Sequence, residues 1–134
     1  MVSAEDVELL RRMYDAWSRA DVAALVRAFD PEVAVRPALR AFLTSMVYRG
    51  HEGVAAWFEE TYEPWAELLA EPERFLDADG RVVVFVHLRA RVPGGEVEVE
   101  SEIAHVVTIR RGRIVRLDGY SEPSEALEAV AVGE

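Results

Sequence analysis

The sequence predicts an α+β domain in which helices come first and an antiparallel sheet follows. Up to about residue 62, apolar residues recur every three or four positions, as they do in amphipathic helices. Beyond residue 80 they alternate with polar residues, as in half-buried strands. Asp79-Gly80 and Arg111-Gly112 are two-residue turn signals between successive strands. This order is typical of helices packed on one face of a sheet.

The helical segments begin at residues suited to helix N-termini. Ser3 stands at capping-box spacing from Asp6 before the first helix, which extends to about residue 20. Asp21 can cap a second, shorter helix, and Asp30-Pro31 ends it. A third helix follows the turn at residues 48–53 and stops before Pro64.

The second half of the chain reads mainly as strands. The predicted strands are a short one at Val33–Val35, a weaker one at Leu68–Leu76, and three longer ones at Arg81–Val92, Glu96–Ile109 and Arg113–Ser121. A short helix at Glu122–Ala131 closes the chain. The segment Pro37–Met46 fits neither period, and it could form part of a pocket rim.

Length and composition exclude several kinds of site. The 134 residues suit a single domain, 1–134, with one core. The absence of cysteine excludes disulfides, thiolate metal sites and cysteine nucleophiles. The three histidines are scattered without metal-ligand spacing, and no glycine-rich dinucleotide loop occurs. We therefore expect neither a metal nor a cofactor.

The charge of the chain argues against two classes of partner. A formal net charge of −10 repels nucleic acid and anionic membranes. No apolar run approaches the roughly 20 residues of a membrane span. Residues 1–6 are acidic and lead straight into a helix, unlike a signal peptide. The expected location is the cytoplasm.

Several stretches resemble one family. They are Met13–Trp17 followed by Asp21, Tyr48–Val54 (YRGHEGV), Glu102–Val107, Arg110–Val115, and Asp118–Ala129. Together they resemble the SnoaL-like family of the nuclear-transport-factor-2-like superfamily. The resemblance implies a cone-shaped, curved antiparallel sheet of cystatin-like type, with helices on its concave face around a small-molecule pocket. It also implies a homodimer.

Two enzyme groups with this fold match the chain poorly. Ketosteroid isomerases need a tyrosine, an aspartate base and a protonated aspartate, and these positions fall at Met13, Pro37 and Ala104. Limonene-epoxide hydrolases need two aspartates with an arginine between them, and here Asp118 alone could serve as one member. The resemblance therefore does not imply either activity.

SnoaL-like polyketide cyclases match better. Asp118 on the last strand and His105 on its neighbour resemble the acid/base pair of those enzymes, and Tyr14 resembles a hydroxyl position in their pocket. The tight turn at Arg111-Gly112 is expected to bring His105 and Asp118 close together across the ladder. Such a pair could move a proton next to a carbonyl group of a small apolar or carbonyl-containing molecule.

The sequence does not decide which face of the sheet His105 occupies, so its role stays open. If Val84, Val86 and Leu88 face the pocket, His105 should face it too. Matching to the isomerase pattern at Ala104 places His105 outward instead, at a subunit interface or on the surface. One bulge would reverse either answer.

Other candidates also have structural interpretations. Asp118 could be a solvated carboxylate or a partner of Arg116, and His87 either contacts a ligand or is an exposed cross-strand neighbour. His51 reads as a helix-start residue. The aromatic stripes are core, pocket wall or both. The predicted pocket-lining residues are Trp17, Phe29, Tyr48, Trp57, Phe58, Tyr62 and His87.

Three functions remain open from the sequence. The first is a cofactor-free lyase, isomerase or cyclase that uses His105, Asp118 and Tyr14. It requires His105 and Asp118 in one pocket. The second is a non-catalytic binder of a small apolar metabolite, with an enclosed aromatic pocket. The third is a dimeric interaction module whose own side chains fill the pocket.

Overall fold

A computed structural model describes residues 2–39 and 43–131 of the chain. Its helices are α1 (Ala4–Ser18), α2 (Val22–Arg27), α3 (Gly50–Tyr62) and α4 (Pro123–Ala131). Its strands are β1 (Phe29–Arg36), β2 (Tyr48–Arg49), β3 (Glu67–Asp77), β4 (Arg81–Arg91), β5 (Glu98–Arg110) and β6 (Arg113–Tyr120). Within the described ranges, no helix is long and apolar enough to cross a membrane.

Local sequence explains where the elements begin and turn. The Ser3 side chain accepts a hydrogen bond from the backbone N–H of Asp6 at 3.0 Å, which caps α1 as the spacing predicts. Both residues of the Asp79-Gly80 turn have positive φ, 56° and 91°. Two consecutive positive φ angles produce the tight hairpin that joins strands of right-handed twist. The predicted hairpin at Asp79-Gly80 therefore forms, and it joins β3 to β4.

The six strands form one mixed sheet in the order β2-β1-β6-β5-β4-β3. The α+β class is confirmed, but the expectation of a wholly antiparallel sheet is wrong for one pair. β1 runs parallel to β6, while the other neighbours are antiparallel. A hairpin forces antiparallel pairing, whereas β1 reaches β6 only through α3 and four intervening strands.

The main core lies between the helices α1, α2 and α3 and one face of the sheet. We call this the inner face; Val84, Val86 and Leu88 of β4 lie on it and are buried. The opposite, outer face carries a smaller cluster in which Ala126 of α4 packs with Val83, Ala104 and Val106 of the sheet. The closing helix therefore differs from the expectation that all helices share the concave face, because its small apolar residues cover the other side.

Candidate functional site

A small cavity lies between α1, α3 and the inner face. Its volume is about 40 Å³, enough for one or two water molecules but far below the roughly 300–1,000 Å³ of a typical ligand pocket. Leu39 lines it and is 41% exposed, which marks the mouth. The lining residues are mostly apolar: Met13, Tyr14, Trp17, Ala38, Leu39, Trp57, Thr61, Leu68, Ala70, Leu88, Ile103 and His105.

Tyr14 and His105 meet in this cavity. The hydroxyl oxygen of Tyr14 lies 2.7 Å from Nδ1 of His105, and the two rings are nearly parallel at 7°. Tyr14 projects from the buried side of α1. His105 is directly opposite Val84 in the β4–β5 ladder, so both face inward. The inward orientation of His105 that follows from Val84 is thus found, and the outward one that follows from the isomerase pattern is wrong.

Burial keeps this pair uncharged. It lowers the pKa of His105 to about 4 and raises the pKa of Tyr14 well above its usual value. The neutral imidazole has one N–H, so either Tyr14 donates to Nδ1 and Nε2 carries the proton, or Nδ1–H donates to the tyrosine oxygen. Among the described residues, Nε2 of His105 has no hydrogen-bond partner.

Asp118 does not join the pair. It is opposite Val106 in the β5–β6 ladder, whereas His105 is opposite Gly119. Neighbouring residues of a strand point to opposite faces, so the Asp118 side chain lies on the outer face. There it accepts from Nε of Arg116 at 2.7 Å and from Arg36 at 3.5 Å. The expected approach of His105 and Asp118 is wrong, and the alternative of an Arg116 partner holds.

A β-bulge causes this change of face. Arg110 pairs with Arg113 and Ile109 with Ile114, as the two-residue turn requires. The next pair is Thr108 with Arg116, which leaves Val115 as an extra residue in β6. Without the bulge, the same counting would set Asp118 opposite His105. One extra residue therefore moves the carboxylate out of the pocket side of the sheet.

His87 also lies on the outer face, away from the cavity. Its Nε2 is 2.9 Å from a carboxylate oxygen of Glu100, and its Nδ1 is hydrogen-bonded to Glu102. The bond to Glu102 raises the pKa of His87. The expectation that His87 lines the pocket is wrong, because it follows Val86 in β4 and so points the other way. The alternative of a cross-strand neighbour holds.

The His87 cluster is also the place where a metal ion would find ligands. Donor atoms of Glu73, His87 and Glu102 lie within 4.8 Å of one another, a group that no spacing in the sequence predicts. Glu73 and Glu102 are exposed. Carboxylate oxygens lie beside both ring nitrogens of His87, which raises its pKa, so a metal ion would have to compete with a proton there. The arrangement is that of an ion-paired surface cluster.

Two of the predicted aromatic residues line the cavity, Trp17 and Trp57, with ring centroids 4.9 Å apart. The others are not among its lining residues. Phe29 packs edge-on against Trp57, Phe58 against Trp17, and Tyr62 against Phe58. The Tyr48 hydroxyl instead donates to Glu60 at 2.6 Å. Helical spacing identified the buried faces but could not separate the first layer of side chains from the second.

Several lining residues were not predicted. Thr61 follows Trp57 by one helical turn, a spacing that could have indicated a shared face. The side-chain atoms Nε1 of Trp17 and Oγ1 of Thr61 are buried without a hydrogen-bond partner in the described structure. Two lining residues besides His105 therefore carry a polar atom that has no partner in the described structure.

Gly119 positions the mouth of the cavity. A Cβ added at this glycine would lie 2.3 Å from the backbone nitrogen of Ala38 and 2.8 Å from its Cα. The backbone of Ala38, which lines the cavity, can approach β6 only because residue 119 has no side chain. Residues 40–42 of the ambiguous segment 37–46 lie outside the described residues.

Comparisons with known proteins agree with this architecture. Residues 10–117 match the SnoaL-like domain. An uncharacterized protein of Mycobacterium tuberculosis (Rv0034) is 29% identical over 127 residues, which cover 92% of this chain and 95% of that protein.

Two solved structures share the fold at low sequence identity. TerC, co-crystallized with polyporic acid, superposes with a TM-score of 0.77 at 17% identity and covers 96% of this chain and 99% of its own. Rv0760c of Mycobacterium tuberculosis, in complex with estradiol-17beta-hemisuccinate, superposes with a TM-score of 0.72 at 14% identity. The match covers 90% of this chain and 95% of Rv0760c. The extent of the domain match and the shared fold lead to one conclusion: the chain belongs to the SnoaL-like family.

Proposed function

We propose that the cavity binds a small, mainly apolar molecule through one oxygen atom, which accepts a hydrogen bond from Nε2 of His105. The observation that carries this proposal is the buried contact of Tyr14 with His105 in an apolar wall. A tyrosine hydroxyl that donates to Nδ1 leaves the imidazole proton on Nε2. The histidine then offers a fixed, uncharged donor to the cavity.

The chemistry of the pair favours a neutral oxygen as its partner. A charged oxygen would have to lose its water shell on entering an apolar site, which costs much free energy. A neutral carbonyl or hydroxyl oxygen avoids this cost and still accepts the hydrogen bond from the uncharged donor. Tyr14 fixes the orientation of the imidazole ring, so little rotational freedom is lost on binding. The expected ligand is therefore a carbonyl-containing or hydroxylated apolar molecule.

The volume of the cavity limits how such a ligand sits. About 40 Å³ holds the oxygen-bearing head group but not a whole polycyclic molecule. The remainder would extend past the exposed Leu39 at the mouth. The small organic molecules in the complexes of TerC and Rv0760c support the binding of small molecules by this fold.

Acetophenone and ethylbenzene test the proposal, because they have similar size and differ by the carbonyl oxygen. We expect acetophenone to bind the wild-type protein about 3- to 10-fold more tightly, the contribution of one hydrogen bond. His105→Phe should abolish this preference while ethylbenzene binding persists. Equal affinity of both compounds for the wild-type protein, measured by titration calorimetry, would contradict the proposal.

A cofactor-free lyase, isomerase or cyclase is the second candidate function. It is favoured by the same neutral imidazole, since a donor at a carbonyl oxygen stabilises the negative charge that develops when a neighbouring C–H bond loses its proton. With a pKa of about 4, His105 is a weak base, so donation suits it better than proton abstraction. Exchange of the acetophenone methyl protons in D₂O, followed by NMR, should be faster with wild-type protein than with His105→Phe. Equal rates would exclude this role.

A homodimer is proposed from the outer face of the sheet, which carries paired charges of both signs. Near the Asp79-Gly80 turn, Arg81, Arg110 and Arg116 line a groove together with Asp118, the partner of Arg116. At the other end, Glu98 and Glu102 of β5 pair with Arg89 and His87 of β4. A twofold axis would let such charges exchange partners between two copies. Light scattering after size exclusion should give twice 15.0 kDa, and the monomer mass would contradict the dimer.

A further inference from the structure

Two residues that line the cavity each carry a buried polar atom without a hydrogen-bond partner among the described residues. These atoms are Nε1 of Trp17 and Oγ1 of Thr61, each with almost no accessible surface. Buried polar atoms are nearly always paired in folded proteins, because water is lost without replacement otherwise. Both residues line the same cavity as His105. The unpaired atoms therefore belong to one place rather than to scattered packing defects.

The indole of Trp17 is held firmly in position. It packs against Trp57 and Phe58, with ring centroids 4.9 Å away in both cases. Only 6% of its surface is exposed. Such packing prevents the ring from turning its N–H toward solvent. Thr61 lies one turn beyond Trp57 on α3, so the same helix both supports the indole and supplies the hydroxyl.

We propose that Trp17 and Thr61 form a second polar subsite of the pocket, which binds another oxygen atom of the ligand. The inference rests on the proposed function, in which His105 binds the first oxygen. An indole N–H can only donate, so its partner is an acceptor, and the threonine hydroxyl can donate to the same atom. The ligand class is thus a small apolar molecule with two separate oxygen functions, such as a diketone, a quinone or a hydroxyketone.

Paired probes separate the second oxygen from ligand size. 1,4-Diacetylbenzene and 4′-ethylacetophenone have nearly the same shape, and the former has an additional carbonyl oxygen. The 1,3-isomers of both compounds vary the separation of the two groups. We expect a diacetyl compound to bind the wild-type protein about 3- to 10-fold more tightly than its ethyl counterpart.

The variants assign this preference to named atoms. Trp17→Phe and Thr61→Val remove the two unpaired polar groups, and each should reduce the preference for the second carbonyl. Thr61→Ser keeps the hydroxyl, so this variant should retain the preference for the second carbonyl. Trp57→Phe removes another indole from the wall, so it should weaken the binding of both compounds of a pair equally. This control separates loss of shape from loss of a donor.

The indole N–H signals give a direct readout. The signal of Trp17, assigned by its loss in Trp17→Phe, should move downfield with a diacetyl compound and much less with its ethyl counterpart. If both compounds bind equally through His105 and neither affects this signal, the second subsite is wrong while the proposed function stands. If none of the probes binds, both fail.

The stability of the ligand-free protein provides an independent check. Thr61→Val removes an unpaired buried hydroxyl and keeps its volume, so Tm should stay the same or rise. A lower Tm together with an unchanged preference for the diacetyl compound would show that the hydroxyl serves the fold. That result would overturn the assignment of Thr61 to a ligand subsite.

Discussion

The Tyr14 hydroxyl and Nδ1 of His105 are 2.7 Å apart, and each is the only hydrogen-bond partner that the described residues give the other. Tyr14 is 2% exposed and His105 6%. Both side chains are withdrawn from the protein surface and border the small cavity. The contact links α1 to the middle of the sheet, so it serves both the fold and the cavity.

The losses of stability caused by removing the two members of this pair should not add. Tyr14→Phe leaves Nδ1 buried and unpaired, and His105→Phe does the same to the tyrosine hydroxyl, each at about 1–3 kcal/mol. The double variant leaves no unpaired group, so its loss should be smaller than the sum of the single losses. Urea denaturation of the four proteins measures the coupling. Tyr62→Phe, which removes a half-buried hydroxyl outside this pair, is the matched control, and additive losses would contradict the coupling.

His105 should make the protein less stable in mild acid. The folded state binds a proton at this histidine only near pH 4, whereas the unfolded chain does so near 6.5. Between these values the unfolded state binds more protons, so the free energy of unfolding decreases as the pH falls, by about 3 kcal/mol in total. Above pH 7 the contribution is constant. Because carboxylates also titrate near pH 4, the test is the difference in unfolding free energy between wild type and His105→Phe: the advantage of the wild type at neutral pH should shrink as the pH falls through this window.

Gly119 should not tolerate a side chain. Gly119→Ala would force its Cβ within 2.3 Å of the Ala38 backbone nitrogen, so the mouth of the cavity must move. We expect a loss of about 1–3 kcal/mol in stability and weaker binding of acetophenone. Gly95→Ala is the control, since its added Cβ meets Val92 at an ordinary 3.5 Å. Equal effects of the two substitutions on thermal unfolding would contradict the argument.

Tyr48 should control the mobility of the segment that follows residue 42. Its hydroxyl donates to Glu60 at 2.6 Å and lies 3.2 Å from the backbone nitrogens of Thr44 and Ser45. The bond from Tyr48 also lowers the pKa of Glu60. Tyr48→Phe should therefore increase amide hydrogen exchange at Thr44 and Ser45, with little change in β4. Unchanged exchange at these two amides would show that Glu60 alone holds the segment.

Local patterns in the sequence predict most of the fold. The cap at Ser3 and the paired turn residues at Asp79-Gly80 specify local structure through adjacent atoms, so no tertiary information is needed. The alternation at Val84, Val86 and Leu88 likewise predicts the buried side of β4. From that side, the inward orientation of His105 follows by counting along a regular ladder.

The set of residues that meet in the site could not be predicted from the sequence pattern alone. Nothing in the sequence around Val115 indicates that it is the bulged residue of β6. This one bulge places Asp118 on the outer face instead of the inner face. The partner of His105 comes from a helix 91 positions away, so its distance depends on tertiary packing. The close approach of Ala38 to Gly119 is equally non-local. The sequence therefore predicted Tyr14, His105 and Asp118 in one pocket, and the structure brings together the first two while Asp118 lies on the other face.

The parallel pairing of β1 with β6 also has a consequence for biosynthesis. Arg36 and Asp118, opposite each other in that pair, are separated by 82 positions. On the ribosome, the first strand is exposed long before the last one is translated, and until then β1 has β2 alone as a neighbour in the sheet. Contacts between such distant segments form slowly, because a long loop must close first. The nascent chain thus leaves one edge of β1 unprotected until nearly the whole domain has emerged, which makes that edge the natural site for a chaperone to shield.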